Sequence, residues 1–408
     1  MGMRLLVVGA GETALQMAAH VRDGGGHATV LTPTPPEEVA AGPVRSTQVK
    51  VWRTREHERA LGLDLWPEAP QIRGMWFQAV EQGQVLFEWR GTLTNPAVSV
   101  NQPDRFAAWL GLLGERGVAI HSQPGQPITA AYVDRLAQEH DMVVVTASPK
   151  GSDLADLFPV DPAFPSAPPA RRLVAVYLDG VEPTPDNDVQ LALLPDGEIL
   201  LIPAYFGDRT TSEGRTCHIV LLEARPGGPL DAFGDVRDPA ARTELLLRLL
   251  REFAPSVAAR CRRATLVDER GTLAGAVRTA VRAPVGRLPG SGRPVASLGD
   301  LAVSMDPLAA QGANSASDGA AIFARRALAH AGPFDEAFLT SCSDEWRQQR
   351  AYPAAQLTSL LLEPPPPVRR LLAEAAGRPE LADTVVRLFE APWMAGQLLS
   401  AAPDATVR

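Results

Sequence analysis

The sequence predicts an α/β protein in which a largely parallel sheet is interrupted by an inserted antiparallel sheet and followed by helices. A short apolar run near the N-terminus leads into a glycine-rich turn and a helical pattern. Four strand-like runs separated by polar turns lie in the middle of the chain, and helical patterns fill its last part. With 408 residues, 45% of them apolar, the chain is long enough for two or three domains with packed cores.

Composition excludes several classes of function. A formal net charge of −8 argues against nucleic-acid binding, which needs a basic surface. The three cysteines are far apart and odd in number, so we expect no disulfide framework, and the seven histidines lack the spacing of a metal site. The apolar run at the N-terminus is too short to span a bilayer and has no signal-peptide pattern, so we expect a cytoplasmic protein without a metal.

The N-terminus has the pattern of a βαβ unit. Met3–Val8 predicts a buried strand, a helical pattern follows the glycine turn, and Ala28–Thr32 predicts the second strand. The turn needs the glycines for a tight bend and for close approach of the backbone to a pyrophosphate, and the helix N-terminus favours anions. The sequence therefore predicts a Rossmann-like dinucleotide site whose residues are Gly9, Gly11, Glu12, Thr13 and Ala14.

One feature departs from this pattern. The second strand ends in Thr32-Pro33-Thr34-Pro35-Pro36, without the acidic residue that usually binds the adenosine ribose. Either Thr32 and backbone groups replace that residue, or the adenosine half of the ligand is held loosely.

The middle of the chain predicts the insertions. The stretch from Val44 to about Asn95 is charged and aromatic, and its second half alternates as exposed edge strands do. Successive strands with polar turns then predict an antiparallel sheet. We predict a discontinuous nucleotide-binding domain (1–43, 96–165 and 290–330), a substrate domain (44–95 and 166–289) and a C-terminal helical segment (331–408).

The stretch SLGDLAVSMDPLAAQGANSAS, residues 297–317, is the most informative. Asp300 follows a buried strand, at the edge where open α/β sheets bind ligands, and its carboxylate suits ligand hydroxyls. Pro307 fixes a turn, and Gln311–Asn314 opens a helix whose N–H groups favour an anionic ligand. The alternative is that Asp300 is only an N-cap and Pro307 only stiffens a loop.

The segments GAGETA, EILLIP and residues 297–317 together resemble the FAD-dependent styrene and indole monooxygenases. The resemblance implies a para-hydroxybenzoate-hydroxylase-like fold with FAD. It also implies that a separate NADH-dependent flavin reductase supplies the reduced FAD. The C4a-(hydro)peroxyflavin formed with O2 would then oxygenate an aromatic alkene, an indole-like compound or a heteroatom. A homodimeric assembly is left open.

The resemblance also assigns roles to residues. Asp300 would hold the ribityl chain, and the catalytic candidates Arg45, Ser46 and Thr47 would lie near the flavin. The residues expected at the isoalloxazine edge are Pro307, Gly312, Ala313 and Asn314. The residues expected in the substrate pocket are Met75, Trp76, Phe77 and Ala309. Arg105 would either reach the FAD phosphates or be a solvated helix arginine.

Two departures from the family bear on the substrate more than on the cofactor. Ser46 stands where the family has asparagine, and Val145–Lys150 lacks the expected glycine. Two other functions stay open: a single-component hydroxylase that oxidises NAD(P)H itself, and a non-oxygenating flavoprotein that serves as a redox sensor. No second glycine-rich turn or complete NAD(P)H domain is visible in the sequence, which favours the two-component enzyme.

Overall fold

The computed structural model describes residues 2–149, 151–207 and 214–396. Lys150 and the end of the predicted C-terminal helical segment, 397–408, lie outside these ranges. The strands are β1 (Arg4–Val8), β2 (His27–Thr32), β3 (Val49–Lys50), β4 (Ile72–Glu81), β5 (Gln84–Ser99), β6 (Ala119–Ser122), β7 (Met142–Val145), β8 (Arg172–Asp179), β9 (Val189–Leu194), β10 (Gly197–Phe206), β11 (Arg215–Ala224), β12 (Thr265–Leu266), β13 (Thr272–Gly275), β14 (Ala280–Val281), β15 (Val285–Arg287), β16 (Pro294–Ser297) and β17 (Val303–Ser304).

The helices follow the predicted order. They are α1 (Glu12–Asp23), α2 (Pro36–Ala41), α3 (Trp52–Ala60), α4 (Gln102–Glu115), α5 (Ala130–Ala137), α6 (Pro239–Phe253), α7 (Pro255–Arg260), α8 (Gln311–Ala329), α9 (Glu336–Trp346), α10 (Tyr352–Leu362), α11 (Pro366–Glu374) and α12 (Pro379–Arg387). A π-helical turn joins α9 to α10. Among the described helices, none has the length and hydropathy needed to cross a membrane.

The first sheet has six strands in the order β15-β16-β7-β1-β2-β6. All neighbours are parallel except β15 and β16. The central strands β1 and β7 are almost entirely apolar and buried, as expected for parallel strands covered on both faces. Helices α1 and α8 pack against each other on this sheet. The βαβ unit at the N-terminus is present as predicted, and the carboxyl ends of β1, β7 and β16 lie at one edge.

The second sheet has nine strands, with β12-β8-β11-β10-β9-β4-β5-β3 in order and β13 also paired with β8. Strands from both inserted segments therefore form one sheet. Alternate residues of β10 face opposite sides: Leu200 and Ile202 contribute to one apolar cluster, and Ile199 and Leu201 contribute to another with α6 and α7. This alternation leaves one face of the sheet free to form a ligand site.

Two expectations about this sheet were wrong. Strand β4 is not an exposed edge, because it lies between β9 and β5 and most of its residues are buried, whereas the first half of β5 is largely exposed, as predicted. The sheet is not wholly antiparallel, because β4 and β9 run parallel, with Met75 opposite Val189. The short strand β15 also pairs with the six-stranded sheet, although residues 166–289 were predicted to belong to the substrate domain.

The C-terminal helices are anchored on β5. The indole nitrogen of Trp89 donates to the carbonyl of Leu372 at 2.9 Å, and Asp383 accepts hydrogen bonds from the backbone and hydroxyl of Thr92 at 2.8 Å. Helix α12 comes so close at Gly91 that an added Cβ would lie 2.4 Å from the carbonyl oxygen of Ala382. The C-terminal segment is therefore part of the wall around the second sheet.

The variant Gly91→Val should lower the free energy of unfolding by about 1–3 kcal/mol, because the new side chain displaces α12 from β5. Urea unfolding followed by circular dichroism measures this, and limited proteolysis should show earlier cleavage in the C-terminal helices. Gly377→Ala is the matched control in the same segment, because its Cβ would meet nothing within 4 Å. Equal stability of the two variants would contradict the close packing at Gly91.

Candidate functional site

The glycine turn after β1 has the conformation that only glycine adopts easily. Gly9 has φ +122°, and a Cβ there would lie 2.3 Å from the hydroxyl oxygen of Thr146 on the neighbouring strand end. Gly11 is the N-cap of α1 and has no side chain to bond the first-turn N–H groups. Those N–H groups and the helix dipole favour an anion. Ala14 is fully buried under the turn, consistent with a packing role.

A cleft with about 2280 Å³ of empty space runs from this turn to the start of α8. Ten residues predicted from the sequence line it: Gly11, Glu12, Thr13, Arg45, Ser46, Thr47, Asp300, Pro307, Gly312 and Ala313. These residues come from three distant parts of the chain, and the fold brings them around one space. Among them are a carboxylate and a hydroxyl-rich segment, as a long polar ligand requires.

The strand-end carboxylate faces this cleft. Asp300 follows Gly299, whose φ is +66° and whose Cβ would lie 2.5 Å from the hydroxyl oxygen of Thr13. The Asp300 side chain is exposed to the cleft, yet the protein on all sides of that cleft raises the pKa of the carboxyl by desolvation. Lys50 opposes the shift and lowers this pKa. Asp300 is thus placed where ligand hydroxyls could bond it, rather than acting as an N-cap alone.

The start of α8 is also open to the cleft. Its N-cap residue, Ala310, has φ +54° and makes no side-chain capping bond. Gly312 and Ala313 line the cleft. Asn314 does not. Its side chain accepts from Val51 N–H at 3.1 Å and the Thr54 hydroxyl at 2.7 Å and donates to two carbonyls, so it ties α8 to the segment before α3.

Behind the turn lies a buried network of charges. Glu12 accepts from Gln16 at 2.6 Å, and its other carboxylate oxygen is 2.5 Å from the ammonium nitrogen of Lys50. Gln16 in turn accepts from the hydroxyl of Ser317 on α8 at 2.6 Å. Lys50 is fully buried, and desolvation lowers its pKa while Glu12 raises it. The sequence pattern did not indicate Lys50.

The structure corrects both alternatives for Arg105. Its side chain is buried and is neither solvated nor part of the cleft lining. The guanidinium forms an ion pair with Glu58 and lies 4.8 Å from the ring centre of Trp109. Arg105 points to the interior because α4 packs that face against Glu58 and the tryptophans.

The sequence prediction also missed two arginines. Arg278 and Arg282, from the segment between β13 and β15, line the cleft and supply positive charge. Their spacing in VRTAVRAP was visible, but nothing in it indicated that they face a ligand. Gln102, Thr146 and Ser148 add polar groups to the lining.

A second, apolar pocket with a cavity volume of about 50 Å³ lies beside the cleft. The two spaces share the lining residues Thr47, Leu221, Pro307 and Ala310. The pocket is lined mainly by aliphatic residues of the second sheet, together with Val386 and Phe389 from the C-terminal segment. Among the described residues that line it, Thr47 and Gln311 are the only ones with polar side chains.

The four residues predicted for the substrate pocket divide into two groups. Met75 and Ala309 line the pocket. Trp76 lies on the other face of β4, where its indole nitrogen donates to Glu88 at 3.0 Å. Phe77 is buried beside the pocket and stacks on Trp89 at 4.8 Å between ring centres. The strand alternation separates Trp76 from its neighbours.

The remaining clusters do not suggest metal chemistry. Within residues 2–149, 151–207 and 214–396, no group of three or more histidine, cysteine or acidic side chains could hold a metal ion. Cys217, Cys261 and Cys342 are free and buried, as small apolar residues often are.

Comparison with known proteins agrees with this geometry. Residues 150–260 match the family described as "Styrene monooxygenase A putative substrate binding domain". The chain is 26% identical over 406 residues to styrene monooxygenase StyA of Pseudomonas fluorescens, covering 96% of this chain and 94% of that protein. A StyA from Pseudomonas sp. matches equally well. The chain is styrene monooxygenase-like. The predicted resemblance to the styrene monooxygenases, the FAD-dependent monooxygenase class and the flavin cofactor are confirmed at this level.

Solved structures extend the likeness of the fold. The flavin-dependent brominase Bmp2 superposes with a TM-score of 0.67 at 12% identity, covering 98% of each chain. The 2,6-dihydroxypyridine-3-hydroxylase of Arthrobacter nicotinovorans gives 0.57 at 18% identity, covering 93% of each chain. The predicted para-hydroxybenzoate-hydroxylase-like fold of this styrene monooxygenase-like chain is confirmed.

Proposed function

We propose that this protein is the oxygenase component of a two-component FAD-dependent monooxygenase. It takes reduced FAD from a separate flavin reductase and transfers one atom of O2 to an apolar alkene or heteroatom substrate. The supporting observation is the junction of two spaces: a cleft with polar lining residues runs from the glycine turn to the start of α8 beside an apolar pocket, and Thr47, Leu221, Pro307 and Ala310 line both.

The residues of the cleft suit FAD. The glycine turn and the open start of α1 would bind the pyrophosphate, with Gly11, Glu12 and Thr13 beside it. Asp300 would accept hydrogen bonds from the ribityl hydroxyls. Arg278 and Arg282 add cationic groups for an anionic ligand. No acidic residue stands at the end of β2, so we propose that the adenosine ribose is held loosely, as suits a cofactor exchanged with a partner.

The start of α8 would hold the ring end of the cofactor. Pro307, Gly312 and Ala313 line the cleft there, and the N-terminal dipole of a 19-residue helix favours negative charge at this point. Reduced FAD, when bound, supplies the activation of O2 and the electrons for the reaction. The protein orients the substrate, excludes water and holds the charge. Arg45, Ser46 and Thr47 line the cleft and would contact the ring, and of these three Thr47 also lines the apolar pocket.

The lining of the pocket limits the substrate. A charged ligand would lose its hydration without gaining a partner there, because none of the lining side chains is charged. A neutral apolar molecule loses little hydration free energy when it enters the pocket. It gains about 25 cal/mol of binding free energy for each Å² of apolar surface buried. An aromatic alkene or a sulfide therefore suits the pocket better than an ionised aromatic acid or phenolate.

We also propose that the second sheet acts as the substrate domain, formed by 44–95 and 166–289, with the C-terminal segment 331–408 completing its wall. The overlap of the family match at 150–260 with this region supports the division. The nucleotide-binding pieces 1–43, 96–165 and 290–330 would then provide the cleft.

Isotope transfer from O2 tests the function. The protein is mixed anaerobically with chemically reduced FAD and styrene or a thioether, then exposed to ¹⁸O2 with catalase present to remove free peroxide. We expect ¹⁸O in an epoxide or sulfoxide, and no NAD(P)H oxidation by the protein alone. NAD(P)H oxidation without a reductase would indicate the single-component enzyme. FAD binding without any oxygenated product would indicate the redox sensor.

Met75→Trp tests the pocket assignment. The larger side chain should fill the space and cost about 1–3 kcal/mol of substrate binding. That corresponds to a rise in KM of about five-fold to about a hundred-fold, while the Kd of FAD stays within two-fold. Steady-state kinetics with styrene and quenching of protein fluorescence by FAD measure the two constants. Trp76→Leu is the control on the opposite face of β4, and an equal rise in KM there would refute the assignment.

A further inference from the structure

The turn between the two spaces rests on a buried carboxyl group. Pro307 lines both the cleft and the apolar pocket. The preceding residue, Asp306, is 2% exposed, and one of its carboxylate oxygens accepts the N–H of Leu308 at 3.1 Å. Whatever holds Asp306 therefore holds the turn that separates the two ligand spaces.

Two glutamates of the second sheet lie beside this turn. Glu198 on β10 and Glu223 on β11 are directly opposite each other, two residues along from the opposed pair Leu200 and Leu221. Because strand residues alternate, the glutamates lie on the same face of the sheet as these two leucines, which line the pocket. Both glutamates are buried.

The charges in this cluster do not balance if every carboxyl is ionised. Arg171 bonds both oxygens of Glu198, at 2.7 and 2.8 Å, and also donates to the carbonyl of Leu362. The other nearby ion pair, Arg225 with Glu363, is nearer the surface. Glu223 is fully buried, and neither of its oxygens has a hydrogen-bond partner among the described residues. Asp306 lies on the same side: Leu221, on the same strand face as Glu223, and Pro307, next to Asp306, both line the apolar pocket, and Asp306 raises the pKa of the Glu223 carboxyl.

Two facing carboxylates cannot bond each other, because neither can donate, but one proton between them supplies the missing donor. We propose that Glu223 is un-ionised at neutral pH and donates its proton to Asp306, so that a shared proton fixes the turn between the cofactor cleft and the apolar pocket. Glu223 is thus a positioning residue. Its link to catalysis rests on the proposed function, but its protonation does not.

The electrostatic effects on the pKa of Glu223 act in the direction that its protonation requires. Burial raises the pKa of Glu223 well above its ordinary value, and Asp306 and Glu198 raise it further, while Arg171 lowers it less. The folded state therefore binds more protons than the unfolded state between the ordinary glutamate pKa and the raised one. Over that window stability falls as pH rises, and the shared proton is lost as pH passes the raised pKa.

Infrared difference spectroscopy tests the protonation directly, on the full chain without ligands. The spectrum of the protein at pH 8 should contain the C=O stretch of an un-ionised carboxylic acid, shifted in D2O and absent from Glu223→Gln. Glu198→Gln, the control directly across the strand pair, should keep the band, because Glu198 is paired with Arg171. Absence of the band from the unaltered protein would overturn the proposal. If Glu223→Gln fails to fold, Asp306→Asn should instead move the band.

A second measurement addresses positioning. The KM for styrene should rise with pH in the unaltered protein as the shared proton is lost, whereas Glu223→Gln, whose amide donates at any pH, should show a flatter profile. Identical profiles in the two proteins would refute the positioning role. If the infrared band is present but no substrate is oxygenated by either protein, the proposed function fails and the proton-sharing pair stands.

Discussion

Replacing Lys50 with methionine should lower the free energy of unfolding by about 3–5 kcal/mol, because removal of one partner leaves a buried charge uncompensated. Lys50 is fully buried, and its ammonium nitrogen is 2.5 Å from the Glu12 carboxylate. In the variant, Glu12 would face the cleft as an unbalanced anion at the point where the pyrophosphate is expected. FAD affinity should therefore fall by about ten-fold or more, the equivalent of about 1.4 kcal/mol or more.

A double-mutant cycle separates the effect of the ion pair between Glu12 and Lys50 from the effects of the other residues of the site. Glu12→Gln combined with Lys50→Met removes both charges, so most of the lost stability and affinity should return. Urea unfolding and titration with FAD measure the two quantities. Arg4→Met is the control at an exposed ion pair, Arg4 with Asp141 at 3.1 Å, and should cost far less stability than Lys50→Met. A double variant as unstable as Lys50→Met would rule out charge compensation as the cause.

Gly9→Val should prevent FAD binding and destabilise the fold by several kcal/mol. A φ of +122° is strained for any residue with a side chain, and the new Cβ would lie 2.3 Å from the hydroxyl oxygen of Thr146. The glycine turn must move to relieve the backbone strain and the clash with Thr146. The open start of α1 must then move with it. Fluorescence titration with FAD and thermal unfolding measure the two effects.

Two further variants identify why Gly9→Val should lose FAD binding and stability. Gly111→Ala, in the exposed middle of α4 with nothing within 4 Å of the new Cβ, should stabilise the protein by about 0.5–1 kcal/mol. Gly9→Ala with Thr146→Ala removes the clash but keeps the backbone strain, so it should recover only part of the loss. Full recovery would show that the clash alone matters, and tolerance of Gly9→Val would refute the need for this tight turn.

Local patterns predicted the first βαβ unit and much of the site. An apolar strand, Gly9 and a helical period all lie within a few residues, so neighbouring residues determine them. Asp300 and the start of α8 were predicted for the same reason. The parallel pairing of β4 with β9 was missed, because it joins segments more than a hundred residues apart and leaves no local signature. The same is true of Lys50, whose partner Glu12 belongs to another segment.

The direction in which a side chain points was the second property that the sequence pattern did not predict. Trp76 was grouped with Met75 by proximity in sequence, although strand alternation turns it to the other face. Arg105 and Asn314 are polar residues close to the expected cofactor, yet each is fully engaged by neighbours that only the tertiary fold provides. Polar residues near a ligand site are therefore not predictable as ligands until their other partners are known.

The wall formed by the C-terminal segment has a consequence for biosynthesis. The cleft needs strand β16, and the apolar pocket needs Phe389, whose carbonyl accepts from the Gln311 side chain at 2.9 Å. A ribosome must therefore release nearly the whole chain before the apolar pocket is complete. During translation the pocket face of the second sheet is exposed, with its aliphatic residues uncovered, until the last helices emerge and dock on β5.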